Sequence, residues 1–246
     1  MDQPTSYRTI SRRGQGHDGC AVFKPRLGEV VTVRKVTGRV SNRGLGTVQI
    51  GTVTGEGYVE NCNGGTVIIG KVAGDALVQQ EPICGDLTGG TVDIKVVTGH
   101  SWVWNRGPGY VTIGELAGTS HFKNVSGDLT FLIDRIAREG RIVERWSRDG
   151  RLKGGGTGFV EKARRHSKIT VDGGDVTIAE IRDKAGVHLD YGRVRLPADA
   201  AGRLSGWLGG EARPEVPDGL TGAVVEQGEP HQGSSSWRPV FRWLAE

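Results

Sequence analysis

The feature that most constrains this chain is a column of amides. Asn42, Asn61, Gln80, Asn105 and Asn124 recur at nearly the same place in successive segments of about 19 residues. Three aliphatic columns run with them. Val31, Val48, Val67, Val92 and Val111 form the first; Val33, Ile50, Ile69, Ile94 and Ile113 the second, two residues on; and Val36, Val53, Val72, Val97 and Leu116 the third. Two residues past the third column stands Gly38, Gly55, Gly74, Gly99 or Gly118, where a missing side chain permits positive φ and a sharp corner. A second short strand then brings Val59, Val78, Val103 or Phe122 inward, and the amide follows two residues later.

Residues two apart lie on one side of a strand, so Val48 and Ile50 point inward while Thr47 and Gln49 point out. One coil cannot bury its own aliphatic groups, and its edges leave backbone groups unpaired. Parallel stacking at roughly 4.8 Å per coil satisfies both needs, and in-register amides can then hydrogen-bond from coil to coil. A sandwich or barrel reverses strand direction and would scramble the column. The sequence therefore predicts an all-β fold: a single-stranded parallel β-helix, or β-solenoid, of about seven or eight coils, with a basic hairpin insertion and a C-terminal cap.

The first-column valines step by 17, 19, 25 and 19 residues, which places the tolerated insertion at the corner after Gln80. Beyond Leu129 and Phe131 the spacing puts the third aliphatic on Asp134 and the corner glycine on Ile136, so the chain is expected to leave the solenoid there. Residues 135–168 hold eight Arg and three Lys against four acids, net +7, and an Asp149-Gly150 turn between Arg141–Trp146 and Arg151–Lys153 reads as an excursion hairpin. The glycine run Gly154 to Gly158 reads as a flexible joint. Val176, Ile178 and Ile181 then restore the repeat, and Val187, Leu189, Val194 and Leu196 extend it. The expected organisation is an N-terminal tail or cap over 1–27, a solenoid over 28–205 with its insertion at 135–168, and a cap or subunit-contact segment over 206–246.

Forty-one glycines against nine prolines fit many corners, and a single Met with 6% aromatics argues against a helical bundle. Cys20, Cys62 and Cys84 are odd in number and follow no metal spacing, so neither a disulfide framework nor a metal is expected. No apolar run is long enough for a signal peptide or a membrane span, and a cytoplasmic location, or a particle assembled there, is the expectation. No cofactor signature is present: Gly14, Gly16 and Gly19 fit GxGxxG but join no strand to a helix, and no GxSxG, HExxH or paired CxxC occurs.

The segments GTVQIGTVTG, GTVIIGKVAG, GTVDIKVVTG and GYVTIGELAG resemble coils of the bacterial adhesin-type β-solenoid repeat family, and VHLDYGRVRLPADAAGRL resembles its closing strands. The resemblance covers about residues 28–133 and 170–205. It implies a non-enzymatic scaffold or surface-contact role with no functional residue to carry over. Bactofilin-type filament proteins and phage tail and capsid accessory proteins share a similar body plan.

Three constellations are candidates for function. After the corner glycines stand Arg39, Glu56, Asp75, His100 and Thr119. Glu56, Asp75 and His100 are low-ranked catalytic candidates, since a solenoid enzyme acting on carbohydrate or a small molecule needs paired carboxylates about 5 Å apart, but a corner is convex where a site needs a cleft. Three residues after each glycine stand Ser41, Tyr58, Leu77, Trp102 and His121, with Trp104 nearby; such a stripe suits docking of another protein or of a second copy. Arg141, Arg145, Arg148, Arg164 and Arg165 form a basic contact surface, although Glu139, Glu144, Asp149 and Glu161 interleave with it and disfavour nucleic acid. The leading expectation is a self-associating scaffold binding itself or another protein. A decoration or spike component of a phage-like particle and the solenoid enzyme are the alternatives.

Overall fold

Apolar groups that one coil cannot cover are covered by its neighbours, and the computed structural model of the chain shows that arrangement throughout. It describes residues 5–11, 20–81, 89–124, 129–137, 140–145, 156–197, 204–206, 222–227 and 240–244, and every regular element among them is a strand. In chain order these are β1 (Thr5–Ile10), β2 (Cys20–Phe23), β3 (Val30–Val36), β4 (Arg39–Asn42), β5 (Thr47–Val53), β6 (Tyr58–Asn61), β7 (Thr66–Val72), β8 (Leu77–Gln80), β9 (Gly90–Val97) and β10 (Trp102–Asn105). There follow β11 (Gly109–Leu116), β12 (His121–Asn124), β13 (Leu129–Ile136), β14 (Arg141–Arg145), β15 (Thr157–Ala163), β16 (Lys168–Ile181), β17 (Gly186–Pro197), β18 (Leu204–Gly206), β19 (Gly222–Gln227) and β20 (Val240–Leu244).

Each coil contributes one long and one short strand, and each strand pairs in parallel with its equivalent one coil away. The long ladder runs β1–β3–β5–β7–β9–β11–β13–β15–β16 and the short one β2–β4–β6–β8–β10–β12–β14–β16. Val48 lies opposite Val67 and Val67 opposite Val92, as the columns require. All three aliphatic columns from Val48 to Leu116 are buried, at 0–1% exposure. The β-solenoid predicted from the repeat is the fold of the protein. No helix among the described residues is long and apolar enough to cross a membrane. Cys20 and Cys62 are free thiols, the first exposed and the second buried.

The amide column is buried as well and bonds between coils in two places. Asn42 Nδ2 donates to Asn61 Oδ1 at 3.1 Å, and Asn105 Nδ2 to Asn124 Oδ1 at 2.9 Å. Between them the ladder turns to backbone. Asn61 Nδ2 donates to the carbonyls of Gly65 (3.0 Å) and Thr91 (3.3 Å), and Gln80 Nε2 to that of Gly90 (3.1 Å). Gly65 and Gly90 hold equivalent positions, so the Asn and the Gln make the same contact in successive coils.

Three expectations are corrected by the pairing. First, the chain stays in the solenoid over much of 135–168: Phe131, Ile133 and Ile136 continue the three columns opposite Val111, Ile113 and Leu116, and Gly158, Val160 and Ala163 form the next rung. Counting from Leu129 set the register two residues early and put Asp134 where Ile136 belongs. Second, Arg141–Arg145 is no hairpin arm but β14, parallel to both β12 and β16; residues 146–155, which hold the Asp149-Gly150 turn, lie outside the described residues. Third, Gly158 is a buried rung and not part of a joint.

The corners explain why the later coils were hard to read. Gly55, Gly74, Gly99 and Gly118 have φ of 65°, 76°, 76° and 72°. In the later coils the same left-handed corner is made by Arg165 (φ 61°) and Asp183 (φ 59°), two residues after Ala163 and Ile181. Gly38 is not among the positive-φ residues, because the corner from Val36 to Val40 is shorter than that from Val53 to Val59.

Both ends of the stack depart from the repeat. Within 1–27, expected as a tail or a cap, β1 and β2 pair with β3 and β4 as one more coil. At the other end β18 adds in parallel to Val187–Leu189, while β19 pairs antiparallel along Gly192–Pro197 and β20 along β19. Antiparallel strands thus edge the last long rung and satisfy its backbone groups.

Candidate functional site

Alternate residues of each four-residue short strand face away from the aliphatic core and form two columns, the second of them covered at Ser41, Glu60 and Gln79. Arg39, Tyr58, Leu77, Trp102, His121 and Arg141 align in the first. Ser41, Glu60, Gln79, Trp104 and Lys123 align in the second. Ser41 therefore leaves the predicted stripe: the short first corner shifts the count, Arg39 stands opposite Tyr58, and Ser41 is buried against Cys62 at 3.4 Å. The same shift removes Arg39 from the corner column.

Side chains on this face interlock across coils. Arg39 Nη2 meets Glu60 Oε2 at 3.1 Å with its guanidinium 4.8 Å from the Tyr58 ring centroid, and the Tyr58 hydroxyl donates to Gln79 Oε1 at 3.2 Å. Gln79 Nε2 donates to Glu81, whose other oxygen lies 3.4 Å from Arg106 Nη1. Arg106 and Lys123 then flank the Trp104 indole at 3.8 and 4.6 Å from its centroid. One column over, Trp102 and His121 stack at 4.1 Å with planes 10° apart. Burial, followed by the nearby Glu60 charge, pushes the Tyr58 phenol up to about 12. Burial also raises the Cys62 thiol.

The corner column is stacked as expected from Glu56 upward. Asp75 N donates to Gly55 O and His100 N to Gly74 O, both at 2.9 Å. Asp75 Oδ1 and His100 Nδ1 are 4.0 Å apart, with about three-quarters of each side chain exposed (75% and 76%), and Glu56 is exposed too. All three side chains are thus exposed at successive corners. Among the described residues no group of three or more His, Cys, Asp or Glu is placed to hold a metal.

Arg164 pairs with Glu180 at 3.1 Å, Arg165 sits at its exposed corner, Arg141 and Arg145 lie on β14, and Arg148 falls outside the described residues.

The chain matches no family model, no curated protein and no solved structure. The resemblance to adhesin-type coils is thus established for architecture alone.

One feature of the opposite face escaped sequence reasoning. Each long strand carries an extra outward residue between its second and third inward positions, and the pairing register steps over it, from Val33↔Ile50 to Lys35↔Thr52 and likewise in the next coils. Gly51 and Gly70 occupy this column between Arg34 and Lys95, and a Cβ at either would lie 2.6–2.7 Å from a carbonyl oxygen of the preceding coil. The signal was available as Gly51, Gly70 and Gly114 at one repeat position, but glycine is so frequent here that it did not stand out.

Proposed function

We propose that the chain is a rigid, non-enzymatic interaction scaffold that associates with a second copy of itself through the outward face of the short ladder. The Trp102–His121 stack carries this reading. Trp102 is 41% exposed, yet its ring is already held flat against His121, so contact through it loses little side-chain freedom. The neighbouring outward column carries Lys123, with Arg106 and the partly exposed Glu81 beside it, so cations and a carboxylate stand next to the stack and two copies related by a twofold axis can meet with opposite charges facing. The parallel stack beneath fixes the spacing of these groups because each is set by backbone pairing and not by a loop.

Sedimentation velocity over a range of concentrations tests the proposal. The wild-type chain is expected to sediment as a dimer or larger species, and Trp102→Ala, with an unchanged melting temperature, as a monomer at the same concentrations. A wild-type chain that stays monomeric throughout overturns it.

A further inference from the structure

The long ladder's outer face holds a groove with a net positive lining. Its floor is the backbone of Gly51 and Gly70, its walls include Thr32, Gln49 and Ile68, and it encloses about 480 Å³. Arg34 and Lys95 close its two ends, three coil steps apart, or about 14 Å. Lys35 and Lys71 stand in the neighbouring outward column. Asp93 is the acid in the lining, and it accepts a hydrogen bond from Thr112 Oγ1 at 2.6 Å.

The later coils carry ion pairs on the same face. There Arg135 pairs with Glu115, Lys162 with Glu161 at 2.6 Å, and Arg195 with Asp175 at 3.0 Å. Among the described residues, Arg34, Lys35, Lys71 and Lys95 have no carboxylate within ion-pair distance. One half of this face thus satisfies its own charges and the other presents four cations around a trough.

We propose that this groove binds a linear anionic polysaccharide lying along the solenoid axis, with its carboxylate or sulfate groups on Arg34, Lys95 and the flanking lysines. The glycine floor and Ile68 give a flat apolar bed for the C–H faces of sugar rings, and Thr32 and Gln49 offer hydrogen bonds to hydroxyls. Two other polyanions fit less well. Single-stranded nucleic acid takes much of its affinity from bases stacked on aromatic rings, and none lines this groove. A peptide that adds as a β-strand needs a free sheet edge, and the strands bordering the trough are paired on both sides.

Calorimetric titration at low salt with two probes, a polygalacturonate oligomer and a heparin oligosaccharide, reads out the proposal and distinguishes carboxylate from sulfate recognition. Binding of at least one is expected, weakening as salt is raised. Arg34→Glu with Lys95→Glu should weaken it about tenfold or more, whereas Lys184→Glu, at an exposed corner of a later coil, should change it less than about twofold. All variants should keep the wild-type melting temperature, since the substituted groups are unpaired. No binding of either probe overturns the proposal, as does equal binding by the Arg34/Lys95 variant or tighter binding of a single-stranded oligonucleotide through these residues. Loss of self-association by Trp102→Ala leaves this result untouched, because that residue lies on the other ladder.

Discussion

Phe131 stands directly over Gly158 in the solenoid interior, and the ring occupies the space where a side chain on the next coil would be. A Cβ built at Gly158 would lie 2.0 Å from Phe131 Cζ. Elsewhere in this column valine stacks on valine, as Val48 does on Val67. Here one large and one absent side chain fill the same two layers, and the Phe131 ring also packs on Phe122 with centroids 5.0 Å apart. Interior volume is conserved across the pair although neither residue conserves it alone.

Gly158→Val should therefore destabilise the protein by about 3 kcal/mol or more through overpacking, and Phe131→Val by about 2–4 kcal/mol through the cavity it leaves. The double variant, which restores valine on valine, should recover a large part of the loss, with a coupling energy of about 2 kcal/mol in a denaturant double-mutant cycle. Simple addition of the two losses would show that the residues do not share that space.

The corners give a graded series. Gly55→Ala introduces only the strain of a side chain at positive φ, because nothing lies within 4 Å of the added Cβ, and should cost about 1 kcal/mol. Gly74→Ala adds a contact at 2.9 Å with Gly55 N and should cost clearly more. Arg165→Gly relieves the same strain and should stabilise by about 0.5 kcal/mol, the gain being offset in part by the extra freedom of glycine in the unfolded chain. Urea midpoints of the three variants check the order; Gly55→Ala costing as much as Gly74→Ala would contradict it.

Asn61 both accepts from Asn42 and donates to two carbonyls while buried. Asn61→Ala removes these three hydrogen bonds, while Gly65 O keeps the Thr91 N–H (3.1 Å) and Asn42 Nδ2 keeps the Thr66 carbonyl (3.5 Å), and should cost about 1–2 kcal/mol. Faster amide exchange confined to the coils on either side of β6 would mark the loss as local, and exchange unchanged there would count against an inter-coil role.

Tyr58 makes stability depend on alkaline pH. Its phenol holds its proton more tightly in the folded chain than in the unfolded one, where it titrates near 10. The stabilisation is complete below that value and is lost as pH rises toward about 12. Partial exposure keeps the effect modest. Phenolate absorbance should show a late titration step, and Tyr58→Phe should remove both that step and the associated loss of melting temperature.

Much of this architecture was legible in the residues. From Val31 to Leu116 every coil repeats aliphatic, aliphatic, aliphatic and glycine at fixed offsets, and only parallel stacking keeps such columns in line. Legibility ended where the physics was met by other residues. Phe131 with Gly158 supplies the volume of two valines, Ala163 replaces a larger aliphatic residue, and Arg165 and Asp183 turn corners without glycine. The outward aromatic column was readable because it shares the core's periodicity, except where the short Gly38 corner displaced Arg39 and Ser41. The cationic groove was not, since it arises from side chains that are missing at Gly51 and Gly70 and from ion pairs that are not made.

The fold rests on parallel, in-register stacking around a dry aliphatic interior. Methyl nuclear Overhauser contacts between Val48 and Val67 test it most directly. Equivalent residues one coil apart sit about 4.8 Å from each other, so strong cross-peaks are expected for Val48–Val67 and for Val67–Val92, with Val48–Val92 weak or missing. Methyl contacts that instead pair Val48 with residues of a strand running in the opposite direction, or that leave Val48 and Val67 without a cross-peak, would contradict the account.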